Sequence, residues 1–330
     1  MRRALVTGGA GLVGAHLVRQ LAERGVAVRV LERPGANLAN LDGLRLDLRH
    51  ADIRDGEAVA RAVEGCDAVF HLAAIAHLWA PDPRLFYAVN TEGTQTVLEA
   101  AAKAGVERTV YTSTESILAL ARERGPVTEA TEATLEDMVG AYTRSKFLAE
   151  QEALRLARAG LPVVIVNPSA PVGAYDVKPT PTGQMMVDFL RGRMRAVLRT
   201  GLNLVAASDV ATGHLLAAER GKAGERYILG HANLMLEEIF SLLARLTGIP
   251  APRLRVPYVL AYAAGVAAEV LSRLTGRPPR IPLTGVRMAR KVMFFDAGKA
   301  VRELGLPQTP VEGALREAVD WFTAHGYAGR

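Results

Sequence analysis

Short apolar runs alternate with helical patterns along the first half of the chain. The runs predict strands at residues 4–6, 26–31, 44–48, 68–72 and 106–112. Between them, apolar residues recur with helical spacing, as in the stretch ending near Ala104 and the one starting at Ala141. This alternation is typical of βαβ units. We therefore expect an α/β protein with a doubly wound parallel sheet covered by helices on both faces.

The pattern changes after Pro168, where loops become more frequent. Residues 177–183 contain two prolines and are predicted to form a loop rather than a regular helix. Helices are predicted at 209–220, 235–248 and 310–325, with a strand at 225–229. We predict one domain at residues 1–168, to which about 203–232 return, and a smaller C-terminal domain made mainly from 169–330.

The first strand leads directly into a glycine-rich turn. Gly8, Gly11 and Gly14 are spaced three residues apart, and a helical pattern follows them. Leu12 and Val13, between the last two glycines, are further candidates for contact with a cofactor. Glycines let backbone amides come close to an anion, and the N-terminus of a helix is positive. The stretch predicts a site for the diphosphate of a dinucleotide, with an ordinary strand-turn-helix corner as the alternative.

The ends of the next strands provide further candidates for cofactor contacts. Glu32 and Arg33 follow the second strand, where an acid favours NAD and an arginine favours NADP, so the choice stays open with a preference for NAD. Asp52 and Ile53 could contact the adenine, although a capped turn is the alternative. The fourth strand ends at Leu72 and is followed by two small residues, Ala73 and Ala74. A cofactor could pass along these three residues.

Two features carry candidate chemistry. Tyr142 and Lys146 are four residues apart on a predicted helix, so their side chains share one face. A nearby ammonium stabilises a phenolate and should lower the pKa of Tyr142 from its ordinary value. Thr114 ends a hydroxyl cluster at the carboxyl end of a predicted strand, where ligands bind in open α/β sheets.

Together with Asn90 in an N-x-x-G-T stretch, these motifs resemble the extended short-chain dehydrogenases/reductases of the NAD-dependent epimerase/dehydratase family. The resemblance implies a Rossmann sheet and a C-terminal substrate-binding domain. Segments similar to the hopanoid-associated sugar epimerase and dihydroflavonol reductase-like branch are 78–83, 166–169, 178–183 and 287–291.

The resemblance also implies residue roles. Tyr142 would be the catalytic acid/base, Lys146 would bind the nicotinamide ribose, and Thr114 would bind the substrate oxygen. Cofactor contacts are further implied for Asn90, Pro168 and Ser169. Lys178 could meet a phosphate or carboxylate of the substrate, with a solvated lysine as the alternative. Two departures from the branch stand out: Glu32 replaces an apolar residue, and residues 206–209 replace a His-x-Asp-Asp motif.

We therefore predict an NAD(P)-dependent oxidoreductase or epimerase that transfers hydride at a secondary carbinol or ketone of a sugar-like substrate. An NADP-dependent ketone reductase is the alternative, and a non-catalytic dinucleotide sensor or scaffold is the alternative of another class. The family implies a homodimer through the helices that begin near Asn90 and Tyr142.

Composition narrows the partners and the compartment. The 330 residues include 40 Lys and Arg against 34 Asp and Glu, but the arginines are dispersed, so we expect no nucleic-acid binding. The single cysteine, Cys66, excludes an internal disulfide and fits a reducing cytoplasm. His71 and His77 lack a third ligand at metal spacing, so no metal site is expected. We expect no signal peptide. The apolar run at 259–268 predicts a buried or surface-lying helix, and contact with a membrane surface is a lesser alternative.

Overall fold

A computed structural model of the chain describes residues 1–119 and 127–328 and contains one large parallel sheet. Its strands run in the order β10-β6-β5-β4-β1-β2-β3. The strands of the described residues are β1 (Arg3–Thr7), β2 (Ala27–Glu32), β3 (Asp47–His50), β4 (Ala68–His71), β5 (Arg108–Thr112), β6 (Val163–Pro168), β7 (Ala170–Val172), β8 (Ala196–Val197), β9 (Gly201–Ala206), β10 (Arg226–Leu229), β11 (Ala232–Met235) and β12 (Leu254–Arg255).

Helices cover both faces of this sheet, and further helices pack in the C-terminal part of the chain. In the described ranges they are α1 (Leu12–Glu23), α2 (Gly56–Val63), α3 (Arg84–Phe86), α4 (Gly93–Lys103), α5 (Ser116–Ala119), α6 (Gly140–Arg158), α7 (Pro181–Leu190), α8 (Ala207–Arg220), α9 (Leu236–Thr247), α10 (Tyr258–Thr275), α11 (Leu283–Met288) and α12 (Val311–Ala324). A π-helical segment, Tyr87–Glu92, leads into α4.

The strand order reverses direction between β1 and β4, and every pairing in the large sheet is parallel. In such sheets ligands bind at the carboxyl ends of the strands beside this switch point. The predicted doubly wound parallel sheet is confirmed. The glycine turn follows β1, residues 72–74 follow β4, and Thr114 lies just beyond β5.

The core is packed separately on the two faces of the sheet. One cluster includes Val6, Val30 and Val110, and the other includes Leu5, Leu31 and Tyr111. Adjacent strand residues point to opposite faces, so each central strand contributes to both clusters. Because both faces are buried, the strands read as continuous apolar runs in the sequence.

The C-terminal part of the chain has its own sheet and a third core cluster. Strands β7, β9 and β11 form a three-stranded sheet, and β8 and β12 form a short pair. The cluster under them is drawn from residues between Val172 and Phe322. Strand β10 returns to the large sheet by pairing with β6. The proposed domain division at Pro168 stays a prediction.

Two predicted boundaries were wrong. The third strand is Asp47–His50 rather than 44–48, because Leu44 and Leu46 pack against the core before the chain joins the sheet edge. The second half of the predicted loop 177–183 belongs to α7. Proline is tolerated at the first helical position, where no amide hydrogen is needed. The Thr180 side chain caps this helix by accepting a hydrogen bond from the Gly183 amide at 3.1 Å.

The apolar run at 259–268 forms most of α10, which lies at the surface. This confirms the surface-lying alternative and not the buried one. Within the described residues, no helix combines the length and the apolar character that crossing a bilayer requires.

Candidate active site

The glycine turn brings β1 and α1 into close backbone contact. Gly8 has a φ of +72°, and a Cβ on it would lie 2.8 Å from the amide nitrogen of Ala73. A Cβ on Gly14 would lie 2.2 Å from the carbonyl oxygen of Gly8. Both positions therefore require glycine for the protein's own packing. Gly11 differs, since a Cβ there would meet only Gly8 O, at 3.5 Å.

Helix α1 begins at Leu12, so the amides of Leu12 and Val13 have no acceptor within the helix. They lie beside the exposed Gly11, at the positive end of the helix. Such an arrangement suits an anion. The turn therefore fits the diphosphate of a dinucleotide, and its glycine spacing was readable from the sequence.

Glu32 lies at the end of β2 and reaches the same turn. Its carboxylate accepts a hydrogen bond from the Ala10 amide at 2.8 Å. Burial raises the pKa of Glu32, and the Ala10 amide, Arg33 and His50 oppose this rise. The side chain of Glu32 is buried, whereas Arg33 is exposed. The structure thus places the acid, rather than the arginine, against the turn.

The two candidates after β3 separate in the structure. Asp52 forms an ion pair with Arg54 at 2.7 Å, and its hydrogen bonds with Arg54 hold the pKa of Asp52 below its ordinary value. Ile53 is buried under α4, since a Cβ on Gly93 would come within 2.7 Å of its side chain. The proposed adenine contacts of both residues stay predictions.

The loop after β4, residues 72–74, is held by buried hydrogen bonds. The Thr7 hydroxyl accepts from the Ala73 amide at 3.2 Å and contacts Nδ1 of His71 at 2.7 Å. Nε2 of His71 contacts the Thr94 hydroxyl at 2.9 Å. Burial lowers the pKa of His71 to about 3, so the imidazole is neutral and links β1, β4 and α4.

Asn90 connects this loop to the helix that carries Tyr142. Its side chain exchanges two hydrogen bonds with the backbone of Ile75, at 2.7 and 3.1 Å, and donates to the Ser145 hydroxyl at 3.1 Å. Asn90 is completely buried. Its amide is therefore used to position Ile75 and α6, and the contact with a cofactor implied for it stays a prediction.

Thr114 and Tyr142 are neighbours at the carboxyl edge of the sheet. The Thr114 hydroxyl donates to Oε2 of Glu115 at 2.8 Å. The same hydroxyl interacts with the Tyr142 phenol and lowers its pKa, but burial and the charge of Glu115 outweigh this effect. The net result raises the pKa of Tyr142 to about 12. At neutral pH the phenol is protonated and can donate.

The expected lowering of the Tyr142 pKa by Lys146 is therefore wrong for the structure. The two residues share a helix face, but Lys146 Nζ reaches back to β5 and donates to the carbonyl oxygen of Thr112 at 2.7 Å. It also lies 4.7 Å from the ring centroid of Tyr111. Burial lowers the pKa of Lys146 to about 7, although Glu150 opposes this shift.

Three residues that sequence reasoning missed support these groups. Glu115 is buried, and burial raises its pKa to about 7. Asn167 donates to the Thr114 carbonyl at 3.1 Å and to Glu150 at 2.8 Å. Glu150 is buried and forms an ion pair with the partly exposed Arg226 at 2.7 Å. A signal existed for two of them, since Glu115 follows Thr114 and Glu150 is one turn beyond Lys146.

The remaining candidates, Pro168, Ser169 and Lys178, lie at the end of β6 or beyond it. Pro168 is the last residue of β6, and β7 of the C-terminal sheet begins at Ala170. Between them, the Ser169 hydroxyl donates a hydrogen bond to Oδ1 of Asn203 at 2.8 Å. Lys178 lies close enough to His77 to contribute to lowering the pKa of that imidazole. In the divergent segment 206–209, Asp209 accepts two hydrogen bonds from Thr309, at 2.7 and 2.8 Å. This carboxylate anchors a C-terminal loop.

A glycine turn at the switch point of a parallel sheet, beside buried titratable groups at the strand ends, defines a dinucleotide-binding α/β protein. The chain belongs to the NAD dependent epimerase/dehydratase family, whose family model matches residues 4–230. This confirms the resemblance inferred from the motifs.

Two bacterial relatives and a solved structure align over nearly the whole chain. A dihydroflavonol 4-reductase-like protein of Synechocystis sp. is 47% identical, over 98% of this chain and 95% of its own. Sterol demethylase protein B of Methylococcus capsulatus is 34% identical over 98% of each chain. The crystal structure of a dTDP-glucose 4,6-dehydratase from Streptomyces venezuelae, with NAD bound, is 27% identical, covers 98% of each chain and has a TM-score of 0.78.

Proposed function

We propose that the protein is an NAD(P)-dependent oxidoreductase or epimerase that acts at a secondary carbinol or ketone. The observation that carries this proposal is the pairing of a protonated Tyr142 phenol with the Thr114 hydroxyl. Both lie at the strand ends that the glycine turn also borders. A carbonyl oxygen between them would receive one hydrogen bond from the Tyr142 phenol. It would receive a second from Thr114 when this hydroxyl turns its proton from Glu115 to the substrate, and both bonds stabilise the negative charge that develops there.

The cofactor fits the residues at the turn. The free amides of α1 and the exposed Gly11 suit a diphosphate, and the buried Glu32 carboxylate suits ribose hydroxyls while repelling a 2′-phosphate. Lys146 and Ser169 would border the nicotinamide end. These features support NAD over NADP, in agreement with the family description and with the NAD-bound dehydratase.

The bound nicotinamide would supply or accept the hydride. For its part, Tyr142 would donate its phenolic proton to the carbonyl oxygen as a ketone becomes a secondary alcohol. Thr114 would hold that oxygen by donating its hydroxyl proton to it, and a protonated Glu115, whose pKa is raised to about 7, would position the Thr114 hydroxyl by donating to it. Because burial keeps the phenol protonated, reduction is the direction that Tyr142 is ready to catalyse.

Reduction and epimerisation share this proton transfer. A reductase releases the alcohol, whereas an epimerase first oxidises an alcohol and then returns hydride to the other face of the ketone. The raised pKa of Tyr142, which keeps the phenol ready to donate, and the reductase name of the Synechocystis relative support an oxidoreductase that releases product, while the motifs of the branch support a sugar-like substrate. Lys178, beside His77, could bind an anionic group of that substrate.

Purified protein should be assayed with a panel of ketones and sugar-like aldehydes while the oxidation of NADH and NADPH is followed. Net cofactor turnover identifies a reductase, and a change in substrate configuration without turnover identifies an epimerase. Tyr142→Phe should reduce the rate by about 10²–10⁴-fold, the usual contribution of a positioned acid. Tyr262→Phe, which removes a phenolic hydroxyl from α10, is the matched control. Full activity of Tyr142→Phe would refute the assignment, and binding of the cofactor without any turnover would favour a sensor or scaffold.

We also infer that the protein forms a homodimer through α4 and α6, the helices that begin near Asn90 and Tyr142. We infer a cytoplasmic location as well. Light scattering of purified protein tests the dimer. A monomer at micromolar concentration would refute it.

A further inference from the structure

Helix α10 exposes its large apolar side chains to solvent. Val259, Leu260, Leu271 and Leu274 are 74%, 62%, 60% and 80% exposed. The side that packs against the protein instead carries small residues, with Gly265 and Ser272 buried. A surface helix of a soluble protein normally has the opposite arrangement.

These side chains form a concentrated patch. Of the thirteen large apolar residues that are exposed in the described ranges, eight fall between residues 254 and 281. They are Leu254, Val259, Leu260, Val266, Val270, Leu271, Leu274 and Ile281, and we call them the α10 patch. An exposed apolar patch of this kind marks an interaction site.

The surroundings of the α10 patch are strongly basic. Between residues 253 and 291 the sequence has eight basic residues and one acidic residue, Glu269. Glu269 lies 3.8 Å from Arg273, whose side chain is nevertheless 79% exposed. Arg277 and Arg280 follow the helix and are also exposed. The patch thus combines apolar side chains with an excess of positive charge.

We propose that the α10 patch docks on an anionic membrane surface, with α10 lying in the plane of the interface. Its apolar side chains would enter the boundary between headgroups and acyl chains, and the arginines would meet lipid phosphates. A second copy of the chain is a poorer occupant. A two-fold contact would set this arginine-rich surface against itself, with Glu269 and Glu237, the partner of Arg255, too few to compensate.

Helix α10 is connected through α11 to the start of α6, the helix that carries Tyr142. Gly265 packs on α11, where a Cβ would lie 3.3 Å from Leu283. On α11, Thr284 lies against Gly140, since a Cβ on Gly140 would be 2.8 Å from its hydroxyl. Gly140 begins the helix that carries Tyr142. Docking would therefore bring the α6 side of the candidate site toward the lipid. The docking itself goes beyond the proposed function and does not depend on it.

The full-length protein should be sedimented with vesicles of phosphatidylglycerol and phosphatidylcholine, and with vesicles of phosphatidylcholine alone, at low salt. We expect binding to the anionic vesicles only, and release at high salt because the attraction is screened. Arg277→Gln with Arg280→Gln should lower partitioning about 25-fold, since each arginine near an anionic surface contributes about fivefold.

Leu271→Asn with Leu274→Asn should lower partitioning by at least about 100-fold. Because both side chains point to solvent, the melting temperature should not fall. Arg316→Gln on α12 and Val301→Asn test the same chemistry elsewhere on the surface and should bind as the wild type does. Absence of binding to the anionic vesicles would overturn the proposal, as would equal binding by all variants. A dimer that dissociates only in the Leu271→Asn, Leu274→Asn variant would also overturn it, because the patch would then be a contact between copies of the chain.

Discussion

Alanine substitutions at Gly14 and Gly11 test two roles of the turn, which are the packing of the protein itself and the binding of a diphosphate. An alanine at position 14 would place its Cβ 2.2 Å from Gly8 O and 2.8 Å from Gly9 Cα, both backbone atoms. Carbon atoms in contact prefer about 3.5 Å, so the turn and α1 must move apart by about 1 Å. An alanine at position 11 would meet only Gly8 O, at 3.5 Å, with an ordinary φ of −75°.

Gly14→Ala should therefore destabilise the fold and weaken the cofactor site. Overpacking costs about 1–3 kcal/mol, partly offset by the better helix propensity of alanine. For 330 residues this corresponds to a fall in Tm of no more than about 4 °C. Displacing two amides that bind a charged group costs about 3–6 kcal/mol, which weakens NAD binding about 10²–10⁴-fold.

Gly11→Ala is the matched variant. We expect an unchanged Tm by calorimetry, because the methyl group finds space, but NAD binding that is about 10–100-fold weaker by isothermal titration, because the methyl group stands where a phosphate would approach. If Gly11→Ala binds NAD as tightly as the wild type, the diphosphate does not lie on this turn. If Gly14→Ala melts and binds like the wild type, the inferred close approach of the backbones is incorrect.

Three further substitutions test the electrostatics. In Glu115→Gln the reduction rate should fall less steeply as pH rises through about 7, because an ionised Glu115 raises the pKa of Tyr142; the remaining fall would come from Lys146, whose pKa is also about 7, and kcat/KM against pH measures both. Glu32→Ser should shift the ratio of NADP to NAD affinity by at least about tenfold toward NADP, measured by titration calorimetry, because the carboxylate that repels a 2′-phosphate is removed. Acidification from pH 6.5 to about 4 should lower the free energy of unfolding of the wild type. His214→Gln should make this decrease smaller by up to about 1.4 kcal/mol per pH unit, as measured by urea unfolding.

The sign for His214 follows from its contacts. Its Nδ1 bonds to Val210 O at 2.7 Å and its Nε2 to the Thr112 hydroxyl at 2.8 Å, and burial lowers its pKa to about 4. Between pH 6.5 and 4 the unfolded chain binds the proton and the folded chain does not, so acidification favours unfolding. An unchanged slope in His214→Gln would mean that this imidazole titrates normally.

The predictions for Glu115→Gln and Glu32→Ser can each be contradicted by one result. Glu129→Gln, which alters a half-buried carboxylate whose pKa is also raised, should keep the wild-type pH profile. A Glu115→Gln profile identical to that of the wild type would show that Glu115 does not act on Tyr142. If Glu32→Ser keeps the wild-type preference, the ribose does not meet this carboxylate.

Local patterns determined much of this protein. The alternation of apolar strands and amphipathic helices predicted the parallel sheet, since buried strands must be apolar on both faces. Glycine spacing predicted the turn, because a positive φ at Gly8 and a close approach at Gly14 are backbone requirements that a sequence records directly. The spacing of four residues correctly placed Tyr142 and Lys146 on one helix.

Only the tertiary structure decided how those groups are charged and what they contact. Lys146 bonds to Thr112 O on β5, and the pKa of Tyr142 rises rather than falls, because both depend on burial by elements distant in sequence. The apolar residues of α10 could equally have filled a core. Their exposure depends on which face meets α11, and packing between distant segments, unlike helical periodicity, is not recorded in any local stretch of sequence.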